Sequence, residues 1–253
     1  TPRLNSKIQA NIKEELKASK SAVLFLDFDG TLVNFNDDPL KALPSQETIN
    51  TIAKLNQSHH IDPVIISGRS MEFLENVFEE LEINLIGEHG YQIKHKGTRF
   101  DNSDIHNSKW KEHLIPILEG FSDRTPGTFI EEKHHALVWH YRKADPELGK
   151  VRASELKTLL KSLITSNLTI LDGDCVIEIT HSQINKGSTA LSLCNENKYD
   201  FIMAIGDDVT DENMFIHLPE KTHSIKVGKK ETQAKNYLSN VEAVQDFLKY
   251  LSD

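Results

Sequence analysis

The sequence predicts an α/β protein: a parallel-sheet core with helices on its faces, interrupted by an inserted α+β unit. Three observations predict it. Short apolar runs alternate with helical periodicity over residues 20–90. The middle of the chain reads instead as helix, two strands, helix, two strands. Strand–helix alternation then resumes after Lys186. A length of 253 residues is enough for one large domain or two small ones, and 38% apolar with 26% charged residues is ordinary for a soluble globular chain.

The elements follow in order. Ile8, Ile12 and Leu16 recur at helical spacing, so Ile8–Lys20 reads as an amphipathic helix. Val23–Leu26 is a buried strand. Ser45 caps a helix whose apolar face is Ile49, Ile52 and Leu55. Pro63–Ile66 is a strand, Met71–Leu81 a helix, and Asn84–Gly87 a short strand. A polar loop is expected around Lys94–Asn107, then a helix over Lys109–Glu119. Thr128–Lys133 and Ala136–Tyr141 form a hairpin turning at His134-His135. Pro146–Ile164 is a long helix with Leu156, Leu159, Leu160 and Leu163 inward. Leu168–Leu171 and Val176–Ile179 pair around Asp172-Gly173-Asp174. The last stretch gives helix Ser188–Asn195, strand Phe201–Ile205, helix Asp211–His217, strand His223–Val227 and helix Val241–Leu251. The core is therefore expected at 1–94 and 183–253, with the insertion at 95–182.

A formal net charge of -9 disfavours nucleic acid and anionic membranes as partners, although a local cation cluster can still take an anionic substrate. Cys175 and Cys194 form neither a disulfide framework nor a zinc pattern, which points to a reducing, cytoplasmic setting. No stretch has the length of a membrane span, and residues 1–20 are too charged for a signal peptide. The chain begins at Thr1, as a processed form or a piece of something longer would.

In an open parallel sheet, ligands bind beyond the carboxyl ends of the strands. Three strands end there in polar chemistry: Asp27-Phe28-Asp29, Ser67-Gly68-Arg69 and Gly206-Asp207-Asp208. Asn185-Lys186-Gly187 opens a helix nearby in the same scheme. Carboxylates so close repel unless a cation compensates, and an all-oxygen set suits Mg²⁺. Residues two apart on a strand share a face, so Asp27 and Asp29 can serve one site. Asp27 is then placed to attack a phosphoryl group. Asp29 can protonate the leaving oxygen and later deprotonate water. Lys186 and the Ser67 hydroxyl can hold the phosphoryl oxygens, and a helix start after Gly30-Thr31 can offer backbone N–H groups. Each string alone is ordinary: Asp-rich loops are common, Asp208 or Thr210 could be an N-cap, and Lys186 a solvated helix end. Their order, each at a strand end or helix start, gives them weight.

Asp27-Phe28-Asp29-Gly30-Thr31, Ser67, Lys186 and Gly206-Asp207-Asp208 resemble the four signature motifs of the haloacid dehalogenase superfamily. The second aspartate is similar to its phosphatases and phosphomutases rather than to its transport ATPases. The resemblance implies a Rossmann-like parallel-sheet core with an inserted α+β cap of the larger type. Ile66-Ser67-Gly68-Arg69, Gly87-Glu88-His89-Gly90, Ile130-Glu131-Glu132-Lys133, Trp139-His140-Tyr141-Arg142 and Gly206–Phe215 further resemble the trehalose-6-phosphate phosphatase family over nearly the whole chain after residue 20. That resemblance implies Mg²⁺-dependent hydrolysis of trehalose 6-phosphate. It implies Asp27, the Asp29 carbonyl and Asp207 as metal ligands, with Asp208 or Asp211 acting through water or behind the ligands. It implies that Arg69 and the cap residues Glu131, Lys133, Arg142 and Glu178 contact substrate, and it raises a link to, or association with, a trehalose-6-phosphate synthase. After Glu178 the chain reads Ile179-Thr180-His181, where the family often has Arg-Pro. The same superfamily offers other sugar-phosphate phosphatases, phosphomannomutases and catalytically silent regulatory domains. Glu131–Arg142 argues against the first two, and the intact acidic motifs against the third.

Overall fold

A computed structural model describes residues 1–36, 38–101 and 109–253. The chain divides into two compact units, Thr1–Asn102 with Asn185–Asp253, and Ser103–Ile184. Among the described residues, no helix is long and apolar enough to cross a membrane.

The first unit is built on an eight-stranded sheet. Its central strand β1 (Ala22–Asp27) is buried throughout and is flanked by β2 (Ile61–Ile66) and, later in the chain, β10 (Phe201–Gly206), both parallel to it. Outward from β2 come β3 (Asn84–Gly87), β4 (Gln92–His95) and β5 (Thr98–Asp101). Beyond β10 come β11 (His223–Val227) and β12 (Asn236–Leu238). All pairings are parallel except those that β4 and β5 make. Both faces of the central strands are covered, which explains uninterrupted apolar runs such as Val23–Leu26. Leu24 and Leu26 join a core with Ile12, Leu16, Ile52, Leu55 and Phe247. These come from α1 (Ser6–Ala18), α2 (Gln46–Gln57) and α8 (Val241–Ser252). Val23 and Phe25 face the other way, onto Ala190, Leu193, Cys194 and Met214 of α6 (Lys186–Asn197) and α7 (Val209–His217). Burial there pushes the Cys194 thiol up to about 12.

Several helices start at a polar cap. The side chains of Asn5, Ser45, Asn185 and Asn240 accept from the N–H groups of Ile8, Thr48, Ser188 and Ala243, and Ser70 does the same for Phe73 at α3 (Met71–Val77). Each such cap is worth about 1 kcal/mol. Helix α3 is shorter than its apolar periodicity predicts, because Phe78–Glu80 leave the helix in a turn.

The polar loop expected around Lys94–Asn107 is not a loop over its described part. Residues 92–101 form the β4–β5 hairpin, turning at Gly97 with φ +77, and extend the sheet edge. Its strands are too polar and short for periodicity to reveal; residues 102–107 of that expectation lie outside the described residues. Strand β12, three residues long, gave no sequence signal for the same reason. Asp37, within the polar segment after Val33, is likewise outside the described residues.

The second unit is a four-stranded antiparallel sheet in the order β6 (Phe129–Glu132), β7 (Ala136–His140), β9 (Val176–His181), β8 (Leu168–Gly173). Leu137, Trp139, Ile177 and Ile179 pack with Leu114, Leu118, Leu156 and Leu160 from α4 (Lys109–Ser122) and α5 (Pro146–Leu163). Leu159 and Leu163, expected inward, are 39% and 46% exposed. Ala153, Leu156 and Leu160 already fill the inward stripe, so those two leucines lie beyond its edge. The β8–β9 turn also sits later than expected. Gly173 pairs with Val176 as the last residue of β8, and Asp174-Cys175 make the turn, with Cys175 at φ 59.

Phe28 separates the two aspartates and is fully buried, edge-on to Phe73 at 5.7 Å and Phe78 at 6.2 Å. Replacing it by Ala should cost about 3–5 kcal/mol. Urea unfolding checks this; a loss under 1 kcal/mol would show that Phe28 does not anchor the strand end.

Candidate active site

The strand register brings the polar strand ends together. Asp27 pairs with Ile66, immediately before Ser67, and Leu26 pairs with Ile205, immediately before Gly206-Asp207. Lys186, the first residue of α6, is 3% exposed. Its ammonium donates to Asp27 Oδ1 at 2.6 Å and to Asp211 Oδ1 at 2.7 Å. Asp211 Oδ2 in turn accepts from the N–H groups of Asp207 (2.9 Å) and Asp208 (3.0 Å). One carboxylate oxygen each from Asp27, Asp207 and Asp211 can be chosen so that all three lie within 4.8 Å of one another.

The electrostatics of this cluster are unbalanced. Burial, then the neighbouring Asp211, holds the Asp27 carboxyl well above the usual range, against the pull of Lys186. Burial, then Asp211 and Asp208, pushes Asp207 up to about 7. Burial opposes the charge on Lys186, yet Asp211 and Asp27 lift its pKa above the ordinary lysine value. Both oxygens of Asp211 are engaged, whereas buried Asp27 Oδ2 and Asp207 Oδ1 have no hydrogen-bond partner among the described residues. An all-oxygen set with two orphaned carboxylate oxygens fits a hard divalent cation. Asp27 and Asp207 have the free atoms to hold it, with Asp211 fixing the loop behind them. Asp208 caps α7 and is exposed.

Gly30 has φ +78, and a Cβ on it would fall 2.4 Å from Asp207 Cγ, so only glycine lets that carboxylate in. The helix start expected after Gly30-Thr31 is instead a tight turn. The N–H groups of Thr31, Leu32 and Val33 donate to Phe28 O, and Gly30 N–H donates to Val33 O. These amides close the turn on itself rather than pointing outward as a helix N-terminus. The Thr31 hydroxyl is fully buried without a partner among the described residues.

Asp29 lies outside the three-carboxylate cluster. Arg69 grips it with two hydrogen bonds, Nε to Oδ2 at 2.7 Å and Nη2 to Oδ1 at 2.6 Å, and the guanidinium lies over the Phe73 ring. Ser67 is buried, and its hydroxyl accepts from Arg69 N–H at 3.1 Å. The backbone of this loop is clasped from β3. Glu88 N–H donates to Arg69 O (2.8 Å) and His89 N–H to Ser67 O (2.9 Å). Glu88 and His89 both adopt left-handed φ, 49 and 57, at about 1–3 kcal/mol each, which a braced loop can sustain. A Cβ at Gly68 would fall 2.4 Å from His89 Nε2. Nothing in the Gly87–Gly90 string itself signals this clasp; two non-glycine left-handed residues in a row leave no compositional trace.

In the second unit, Lys133 donates to Glu178 at 3.2 Å, and Glu131 meets His140 Nε2 at 2.8 Å. Glu131, Val138 and Glu178 stand in one register row, on the sheet face opposite Trp139 and Ile177. His140 is stacked on Phe129 at 4.4 Å and was not singled out from sequence. Arg142 is directed to the β8–β9 turn, donating to Asp174 O and Oδ2 at 3.0 and 2.8 Å.

The family model for trehalose-phosphatase matches residues 25–243. A bifunctional trehalose-6-phosphate synthase/phosphatase of Thermoproteus tenax is 32% identical over 95% of this chain and 33% of its own length. A trehalose-phosphatase of Schizosaccharomyces pombe is 37% identical over 81% of this chain and 26% of its own. The chain thus spans about a third or less of these relatives. The solved C-terminal domain of C. albicans trehalose-6-phosphate phosphatase superposes with a TM-score of 0.90 at 28% identity, covering 100% of this chain and 98% of that one.

Between pH 3.8 and about 7, the folded chain holds a proton on Asp207 that the unfolded chain has released. Metal-free stability should therefore fall as pH rises through that window. In chelator, Asp207→Asn is expected to melt above wild type at pH 8, with the gap narrowing at pH 5. Thermal melts check this, and a variant melting below wild type at pH 8 would refute the repulsion.

Proposed function

The chain belongs to the trehalose-phosphatase family, and from that premise we propose that it hydrolyses trehalose 6-phosphate to trehalose and phosphate with Mg²⁺, through a phosphoryl group carried on Asp27. The observation that carries this reading is the convergence of Asp27, Asp207 and Asp211, the first and last bonded to Lys186, with two buried carboxylate oxygens left over.

Asp27, Asp207 and the Asp29 carbonyl would hold the metal. When bound, Mg²⁺ supplies the positive charge that lets a phosphate monoester approach a carboxylate. An oxygen of Asp27 attacks phosphorus, the bond from phosphorus to the sugar oxygen breaks, and Asp29 gives its proton to that oxygen. Asp29 then takes a proton from water as the water attacks phosphorus, the bond to Asp27 breaks, and phosphate is released. Lys186 keeps Asp27 oriented and, with the Ser67 hydroxyl, offsets charge on the phosphoryl oxygens. Asp29 is gripped by Arg69, so its catalytic turn requires the guanidinium to let go and take up substrate instead. Glu131, Lys133 and Glu178 read the sugar hydroxyls, where donors and acceptors on one sheet face match a disaccharide's alternating needs. Arg142 serves that face less directly, by holding the β8–β9 turn through Asp174. A synthase supplies the substrate, as the bifunctional synthase/phosphatase of Thermoproteus tenax suggests.

Phosphate release from trehalose 6-phosphate should require Mg²⁺ and exceed release from glucose 6-phosphate, sucrose 6-phosphate and mannose phosphates. Asp27→Asn should abolish it along with the acid-stable phosphoenzyme, and Asp29→Asn should lower kcat by about 10²–10⁴-fold. Lys133→Met should reduce kcat/KM for the disaccharide phosphate while sparing a small aryl phosphate. Turnover by Asp27→Asn, or equal rates across the panel, would overturn the assignment.

A further inference from the structure

Lys226 has no part in the chemistry above, yet it is only 2% exposed at the sheet end next to the acidic cluster. Lysine is almost never so buried unless paired. In register it sits opposite Gly206, the residue before Asp207. It therefore shares the sheet face on which a Cβ at Gly206 would strike the Asp211 carboxylate, 2.2 Å from Cγ. Its ammonium donates to the Asp208 carbonyl at 3.2 Å and to Glu212 Oε1 at 3.0 Å. Glu212 Oε2 accepts from Gln233 N–H at 2.8 Å, tying this chain of contacts to the segment before β12.

The loop that presents Asp207 is thus gripped by two different groups. Asp211 takes the N–H groups of Asp207 and Asp208, and Lys226 takes the Asp208 carbonyl. With the N–H groups of Asp207 and Asp208 and the Asp208 carbonyl all held, the backbone that carries the Asp207 carboxylate has little freedom to move away from Asp27 when the two repel. The positive charge of Lys226 also counters the repulsion that falls on Asp207. A buried ion pair is weak as a device for stability, because an apolar pair can do as well. Lys226 and Glu212 are therefore better explained by what they hold in place.

We propose that Lys226, backed by Glu212, is a positioning residue that fixes the Asp207–Asp208 loop in the geometry that binds the divalent cation. This rests on the metal reading of the proposed function. Outer partners of this kind typically contribute 10–100-fold in metal affinity.

The test is Mg²⁺ titration of the metal-free chain by calorimetry, which does not depend on turnover. Lys226→Met alone leaves Glu212 without its cation, so the paired variant Lys226→Met with Glu212→Gln is measured beside it. A cooperative melt in chelator establishes that the variant is folded. The expected result is a dissociation constant about 10–100-fold weaker than wild type in the folded pair variant, with kcat largely restored at saturating Mg²⁺. A folded pair variant binding Mg²⁺ within twofold of wild type overturns the positioning role and leaves the metal site standing. Wild type that binds no Mg²⁺ overturns the metal reading and this inference with it.

Discussion

Everything at the head of this sheet depends on one electrostatic conflict, the burial of several carboxylates around one ammonium. Asp27 and Lys186 lie 159 residues apart in sequence, and their 2.6 Å contact exists only because β1 and α6 meet in the folded core. Lys186, even with the charge of Lys226 acting on Asp207, does not neutralise Asp27, Asp207 and Asp211 together. The protein spends Asp211 on Lys186 and two amides, which leaves Asp27 and Asp207 with free oxygens and raised pKa values. Such an arrangement is unstable on its own terms, and in the proposed function a divalent cation would complete it. In that reading the cation would bring the positive charge that lets an anionic substrate approach carboxylates.

The rest of the first unit holds that conflict in place. Apolar strands buried on both faces set the strand ends rigidly, and Phe28 drives its side chain into the core between the two aspartates. Gly30 clears the space that the Asp207 carboxylate fills. The left-handed turn at Glu88-His89 clasps the Ser67–Arg69 backbone, so the hydroxyl and the guanidinium are aimed by a strained but braced loop. The Asp29–Arg69 pair adds a latch: the residue assigned acid–base work is occupied until something competes for the arginine.

Much of this was legible in the sequence because its signals are local. Buried parallel strands announce themselves as apolar runs, Ser and Asn caps mark helix starts, and carboxylates at the ends of such runs point to one edge of the sheet. What escaped is what depends on tertiary partners. The β4–β5 hairpin is polar and at an edge, so it looked like loop. The Gly30–Val33 turn mimics a helix start, and only its bonds to Phe28 O reveal otherwise. Leu159 and Leu163 match helical spacing but fall outside the stripe that Leu156 and Leu160 bury. Asp211 looked no different from Asp208, although one is buried in the cluster and the other exposed on a helix cap. Arg142 seemed to belong with Glu178, and its bond to Asp174 became visible only once the turn was placed two residues later.

The proposed function requires Asp27 and Asp207 to share one divalent ion. The most direct measurement is a crystal of this chain grown with Mn²⁺ and its anomalous difference map. A shared ion gives one strong peak about 2.1–2.2 Å from an oxygen of each, near the bond length expected for a small hard cation. A fully occupied peak touching only one of them, or lying elsewhere with Asp27 and Asp207 unchanged, would contradict it.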